Sequence, residues 1–100
     1  MHLGPAPLEG EHRGYRAGGS WYLVARVNGA LSCIDDWCNH AGCLLSEGRL
    51  DGDVVVCPCH DGRFRVTDGA NVTEVPLCGD QAAFAIVEED GEVFLVRGEP

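Results

Sequence analysis

Two short segments of this 100-residue sequence each combine cysteine with histidine. The first reads CNH over residues 38–40 and the second reads CPCH over residues 57–60, with sixteen residues between the two segments. Thiolate sulfur and imidazole nitrogen are both ligands of transition metals such as zinc and iron. If two loops bring one pair each to the same place, they form a four-ligand metal site. The predicted ligands are Cys38, His40, Cys57 and His60.

The composition narrows the classes of protein to which the chain can belong. Its 45% of apolar and 23% of charged residues are typical of a globular domain. The 16 acidic against 7 basic residues give a net charge of −9, which argues against nucleic acid as a partner and favours a partner with a basic surface. We find neither a membrane-spanning apolar run nor a secretory signal. We therefore expect a soluble cytoplasmic monomer that binds no nucleic acid and no membrane.

The segments around the two motifs read as β-strands. Asn-Gly or Asp-Gly pairs, which favour tight hairpin turns, occur at 28–29, 51–52, 68–69 and 90–91. We see no segment with a convincing helical period, so we expect an antiparallel all-β fold. Residues 1–12 are expected to be largely irregular, and the histidines among them to lie at the surface. The predicted strands are 21–27, 30–34, 49–50, 53–56, 64–66, 82–87 and 92–96.

We expect a single domain over residues 1–100, in which the metal ligands lie in an inserted lobe. The lobe is predicted to cover residues 36–65, and the β base to cover 1–35 and 66–100. Alternation along the strands predicts which side chains the base buries. These are Leu23, Val27, Ile34, Phe84, Ile86 and Leu95.

The order of the ligands resembles the signature of Rieske [2Fe–2S] proteins. A zinc finger keeps its two cysteines together and its two histidines together, whereas here each segment carries one of each. The resemblance implies one [2Fe–2S] cluster per chain, with Cys38 and Cys57 on one iron and His40 and His60 on the other. It also implies a β-sandwich or barrel base that carries a small cluster-binding lobe.

Two further cysteines stand beside the predicted ligands. High-potential Rieske subunits carry an additional cysteine in each loop, joined by a disulfide, and Cys43 and Cys59 occupy those positions. The resemblance thus implies a Cys43–Cys59 disulfide, although two free buried thiols remain an alternative. Cys33 and Cys78 lie outside the lobe, and we expect both to be unligated, buried and free.

The residues that follow the second motif indicate the type of Rieske protein. High-potential subunits have a Gly-Ser-x-Tyr run there, whose hydroxyls donate to sulfur. This chain reads HDGRF over residues 60–64, which resembles the small ferredoxins of bacterial ring-hydroxylating dioxygenases. That resemblance implies a one-electron carrier between a flavin-dependent reductase and a terminal oxygenase, without catalysis of its own. The alternatives are a small subunit of a nitrite- or arsenite-metabolising oxidoreductase and a zinc-stabilised interaction module.

We predict that replacing Gly62→Ser and Phe64→Tyr together raises the midpoint potential of the protein. Each substitution adds a hydroxyl donor toward sulfur, and such donors stabilise the reduced state. Protein-film voltammetry of the double variant and the parent protein measures the difference. An unchanged midpoint would contradict the prediction.

Overall fold

The computed structural model describes residues 1–38, 42–59, 61–73 and 79–96. Every strand pair is antiparallel, which confirms the predicted all-β class. A single turn of 3₁₀ helix, Leu45–Glu47, precedes the fifth strand. Within the described residues no helix has the length and apolarity needed to cross a membrane. The strands are β1 His2–Pro5, β2 His12–Ala17, β3 Ser20–Val27, β4 Ala30–Asp35, β5 Arg49–Asp51, β6 Val54–Val56, β7 Arg63–Arg65, β8 Ala83–Phe84, β9 Ile86–Glu89 and β10 Glu92–Leu95.

In the part of the chain that the structure describes, the strands form three sheets. The largest has the order β2-β3-β4-β8, and a second sheet joins the two ends of the described chain in the order β1-β10-β9. The third sheet, β5-β6-β7, carries the second cysteine segment directly after β6. The first cysteine segment follows β4, so each segment begins where a strand ends.

Strand β3 is the centre of the fold because it is buried on both faces. Leu23 and Ala25 point into one core with Ile34 of β4, and this core continues into the third sheet. Tyr22 and Val24 point into a second core, which includes residues of β1, β9 and β10. Alternate side chains of one strand thus hold the third sheet on one face and the second sheet on the other.

Three of the four predicted turns form hairpins. The 28–29 and 90–91 pairs both have positive φ at each residue, as a two-residue hairpin turn requires. The 51–52 hairpin is displaced by one position, because Asp51 pairs with Val54 and leaves Gly52 and Asp53 in the turn. The 68–69 turn instead leads from β7 to an isolated bridge between Phe64 and Asn71.

Two predictions about the strands are wrong, and the strand β2, His12–Ala17, which pairs with β3, was not predicted at all. Residues 2–5 form β1 against β10, because Gly4 and Pro5 are tolerated in a strand at the edge of its sheet. The predicted strand 82–87 is two strands: β8 pairs with β4 and β9 pairs with β10, so the chain changes sheet at Ala85.

The predicted core is divided between the two faces of β3. Leu23 and Ile34 are fully buried, whereas Val27, Phe84, Ile86 and Leu95 are partly buried against one core or the other. Alternation identified the buried positions, but a linear pattern contains no information about which of two cores each residue enters.

We predict that Leu23→Ala lowers the free energy of unfolding by about 2–5 kcal/mol, because it opens a cavity beneath the third sheet. Urea titration followed by tryptophan fluorescence measures the loss. Leu8→Ala is the matched control, since Leu8 is 67% exposed and its truncation should change stability by about 0.5 kcal/mol or less. Equal losses in the two variants would contradict the two-core arrangement.

Candidate metal centre

The first cysteine loop is closed by a pair of backbone hydrogen bonds around Cys38. Its N–H donates to the carbonyl of Cys43 at 2.7 Å, and its carbonyl accepts from the N–H of Gly42 at 3.2 Å. Gly42 has φ of 70°, which lies in the left-handed region that glycine adopts without strain. Cys38 is therefore the first residue of a tight, hydrogen-bonded loop.

The second loop repeats this closure around Cys57. The N–H of Cys57 donates to the carbonyl of Gly62 at 2.7 Å, and its carbonyl accepts from the N–H of Asp61 at 3.1 Å. Asp61 has φ of 59°, in the same region, which aspartate tolerates better than most residues. In both loops the cysteine N–H thus bonds five residues ahead and its carbonyl four residues ahead.

The two predicted cysteine ligands are buried in the same place. Cys38 is 1% exposed and Cys57 is 0% exposed. Both belong to the core that also contains Leu45, Phe64 and Val66. Apolar side chains thus surround the two predicted ligands in one core.

The predicted histidine ligands, His40 and His60, lie outside the described residues, as does Cys78. Within the described residues no group of three His, Cys, Asp or Glu side chains could hold a metal ion. The described part of the donor set nevertheless fits an iron–sulfur cluster. Two thiols come from separate loops, lie in one core, and have the soft donor atoms that iron–sulfur clusters use.

A disulfide between Cys43 and Cys59 ties the two loops together, as the sequence led us to expect. The two Cα atoms are 6.4 Å apart and the residues are 16 positions apart in the chain. Each partner lies near a predicted ligand, so the bond links the loops beside the buried thiols. The alternative of two free thiols is wrong.

Cys33 has no part in this arrangement. It is a free, buried thiol in the second core. Burial raises its pKa to about 12, and the nearby charges of Asp35 and Asp36 add to the effect. The expectation that Cys33 is buried and forms no disulfide is confirmed.

A buried polar network fixes the first loop to the base. The carboxylate of Asp36, which is fully buried, accepts from the N–H and from the hydroxyl of Ser46, both at 2.6 Å. The Nε2 atom of His12 lies 3.1 Å from the Ser46 carbonyl oxygen, which can only accept a hydrogen bond, so the Nε2–H group is the donor. Asp36 also donates its N–H to the carbonyl of Trp21 in β3. Three segments are thus joined two residues before Cys38.

The network explains a glycine in the middle of β2. A Cβ atom at Gly14 would meet the Ser46 hydroxyl and lie 2.7 Å from Oδ2 of Asp36. Burial raises the pKa of the Asp36 carboxyl above its usual value, and the two hydrogen bonds from Ser46 oppose that rise. Those hydrogen bonds compensate in part for removing the carboxylate from water.

Several residues of the site escaped the sequence analysis. His12 was expected at the surface, yet it contacts Ser46 beside the first loop. Gln81 is 4% exposed, and its amide donates to the carbonyls of Asp35 and Trp37, both at 2.8 Å. None of these residues belongs to a motif. Their role follows from hydrogen bonds to residues far away in the sequence, and the spacing of residues does not predict which residues form such bonds.

The chain is similar to known proteins that contain a Rieske domain. A model of the Rieske [2Fe-2S] domain matches residues 5–85. Ferredoxin CarAc of Metapseudomonas resinovorans is 38% identical over 84 residues, which cover 84% of this chain and 77% of that protein. The ferredoxin component of the naphthalene 1,2-dioxygenase/salicylate 5-hydroxylase systems of a Ralstonia species is 31% identical over 87 residues, or 87% of this chain and 83% of that one.

A solved structure is similar over nearly the whole chain. It is a complex of reduced oxygenase and oxidized ferredoxin in carbazole 1,9a-dioxygenase. The matched chain is 32% identical, with a TM-score of 0.83, and the match covers 96% of the present chain and 100% of that one.

We predict that Cys43→Ala and Cys59→Ala each lower the free energy of unfolding by about 3 kcal/mol, the value that the chain-entropy model gives for a loop of this size. Because either change abolishes the same bond, the double variant should lose little more than each single one. Urea titrations of all four proteins, without reductant, measure the four free energies. Additive losses would show that the cysteines stabilise the fold by packing separately.

Proposed function

Because this chain belongs to the Rieske [2Fe-2S] family, we propose that it carries single electrons from a flavin-dependent reductase to a terminal oxygenase. The observation that carries the proposal is its similarity, along most of both chains, to the ferredoxin components of two dioxygenase systems. On this proposal the protein is an electron carrier and catalyses no bond change by itself.

The proposed cluster ligands are Cys38 and Cys57 on one iron and His40 and His60 on the other. Burial of both cysteine side chains and the matching backbone closure of their loops support the assignment. Thiolates are anionic whereas neutral imidazoles add no charge, so this mixed set makes electron uptake easier than four thiolates would. The two sulfurs belong to the buried side of the site.

The bound cluster supplies a centre that accepts and returns one electron. The protein has to hold that centre in a fixed geometry and keep water away from its buried side. The disulfide between Cys43 and Cys59 limits separation of the loops. Leu45 and Phe64, both fully buried, form the apolar surface beneath the cysteines. A rigid, dry environment of this kind reduces the reorganisation that accompanies a change of charge.

The residues around the second loop favour a lower potential than that of high-potential Rieske subunits. Gly62 and Phe64 replace the serine and tyrosine that donate to sulfur in those subunits. Asp61 adds a carboxylate beside the proposed ligand His60, and negative charge opposes the uptake of an electron.

We propose that residues 1–100 form one domain, with a base of 1–35 and 66–100 and a lobe of 36–65. The third sheet and both cysteine loops fall within that lobe, which supports the division. We also propose that the protein works as a soluble monomer in the cytoplasm, since a carrier must move between two partners and a net charge of −9 opposes self-association. Two alternative functions are less well supported. The similarity to ferredoxin components favours a mobile carrier over a docked subunit of a larger oxidoreductase. The match to the Rieske family favours an iron–sulfur cluster over a zinc site.

The test is electron paramagnetic resonance of the dithionite-reduced protein, combined with iron and zinc analysis. We expect two irons per chain and a spectrum whose average g lies below the free-electron value. Cys38→Ala should abolish the signal. Cys33→Ala, which removes a buried thiol outside the loops, should keep it.

Two results would contradict the proposal. A colourless protein without iron after anaerobic purification would exclude the cluster. A cluster signal that survives Cys38→Ala would show that the ligand assignment is wrong even if the family function is right.

A further inference from the structure

A cavity of about 400 Å³ lies beside the first cysteine loop, at one end of the largest sheet. Seven residues line it, of which four are aromatic and one carries a carboxylate. The aromatic residues are Trp21, Tyr22, Trp37 and Phe84, and the carboxylate is that of Asp35. The two tryptophans of the cavity are the only two in the sequence.

The wall of this cavity is held in place by the fold. The N–H of Trp37 donates to Oδ1 of Asp35 at 2.9 Å. The amide of buried Gln81 bonds the carbonyls of both residues at 2.8 Å. Tyr22 and Phe84 pack edge to face with their ring centres 5.2 Å apart. A ligand would therefore meet an Asp35 carboxylate and a Tyr22–Phe84 pair that are already held in place, which reduces the entropy lost on binding.

The chemistry of the wall selects a cation. Aromatic faces attract guanidinium and ammonium groups, and a carboxylate adds a full opposite charge. Trp21 already has the guanidinium carbon of Arg16 at 5.1 Å from its ring centre, outside the residues that line the cavity. Among the ion pairs formed by described residues, none involves Asp35. The net charge of −9 further attracts cationic groups.

The position of the cavity relates it to electron transfer. Trp37 directly precedes Cys38 and is 49% exposed, a large fraction for a tryptophan. An atom of its ring lies 3.4 Å from the place that a Cβ of Gly42 would take, so the ring borders the first loop. A group bound in the cavity would therefore fix a partner next to the loop that carries a proposed cluster ligand.

Resting on the carrier function proposed above, we propose that this cavity receives an arginine or lysine side chain from the docking face of the electron acceptor. The aromatic rings lose water on contact and the cation pairs with Asp35. Such a contact fits a partner that must bind, take an electron and leave, because one anchored side chain gives orientation without a large interface.

The first experiment uses the cluster-loaded protein and intrinsic tryptophan fluorescence, which reports on the cavity because both tryptophans line it. N-acetyl-arginine amide should change the fluorescence saturably, whereas the neutral isostere N-acetyl-citrulline amide should not. Asp35→Asn should weaken binding of the arginine probe about fivefold, the size expected for one ionic or cation–π contact. Asp90→Asn, which removes an equal charge from an exposed hairpin turn with φ of 54°, should bind like the parent protein.

The second experiment measures the rate at which the reduced protein transfers its electron to cytochrome c, a stand-in acceptor with a basic surface. Stopped-flow rates at low ionic strength should fall about fivefold in Asp35→Asn relative to Asp90→Asn, since on-rates follow local charge complementarity. The midpoint potential of each variant is measured alongside, so that a change in driving force is separated from a change in docking.

Three outcomes would count against the proposal. Absent or equal responses to the arginine and citrulline probes would exclude a cation site, and the proposed function would stand if the cluster signal is present. Arginine binding with equal transfer rates in both variants would exclude a docking role. A protein without a cluster signal would refute the proposed function, and the docking role with it.

Discussion

The site depends on one constraint: two loops, which follow β4 and β6, must bring Cys38 and Cys57 into the same core. Each loop is closed by the same pair of backbone hydrogen bonds, around Cys38 in one case and Cys57 in the other. The disulfide between Cys43 and Cys59 then joins one loop to the other. Local closure determines the shape of each loop and the cross-link limits their relative movement, so neither element suffices alone.

Strand β3 connects the core that holds the two cysteines to the rest of the fold. One face of the strand supports the core that contains both cysteines, and the other face supports the sheet formed by β1, β9 and β10. The Asp36–Ser46 contact adds a polar connection where the chain leaves the base for the first loop. A buried carboxylate is unfavourable unless it is hydrogen-bonded, so the network tolerates few alternative positions of Ser46. Apolar packing and the Asp36–Ser46 hydrogen bonds thus together fix the position at which the first loop begins.

The sequence was sufficient for the all-β class, for two of the hairpins and for the disulfide, because those features have local or family-specific patterns. The Asn28-Gly29 and Asp90-Gly91 pairs predict hairpin turns from local sequence alone. Cys43 and Cys59 lie next to the predicted metal-binding motifs, at positions that form a disulfide in related proteins. By contrast, β1 depends on a partner strand about ninety residues later in the chain, as the pairing of His2 with Phe94 shows. The change of sheet at Ala85 has no local signal, because both halves of residues 82–87 alternate in the same way. The assignments of all four cluster ligands, Cys38, His40, Cys57 and His60, stay predictions.

The opposite properties of Cys38 and Trp37, which are adjacent in the chain, follow from the function of a carrier. The Cys38 side chain is 1% exposed, and the Trp37 side chain is 49% exposed. Because side chains alternate in extended backbone, a buried cysteine, here a proposed ligand, and an exposed aromatic residue can be neighbours there. A redox centre needs a dry, rigid interior, whereas exchange with a partner needs an accessible surface close to that centre. Just after β4 the chain offers one residue for each requirement, so on the proposed roles of Cys38 and Trp37 the path between the buried centre and the surface is short.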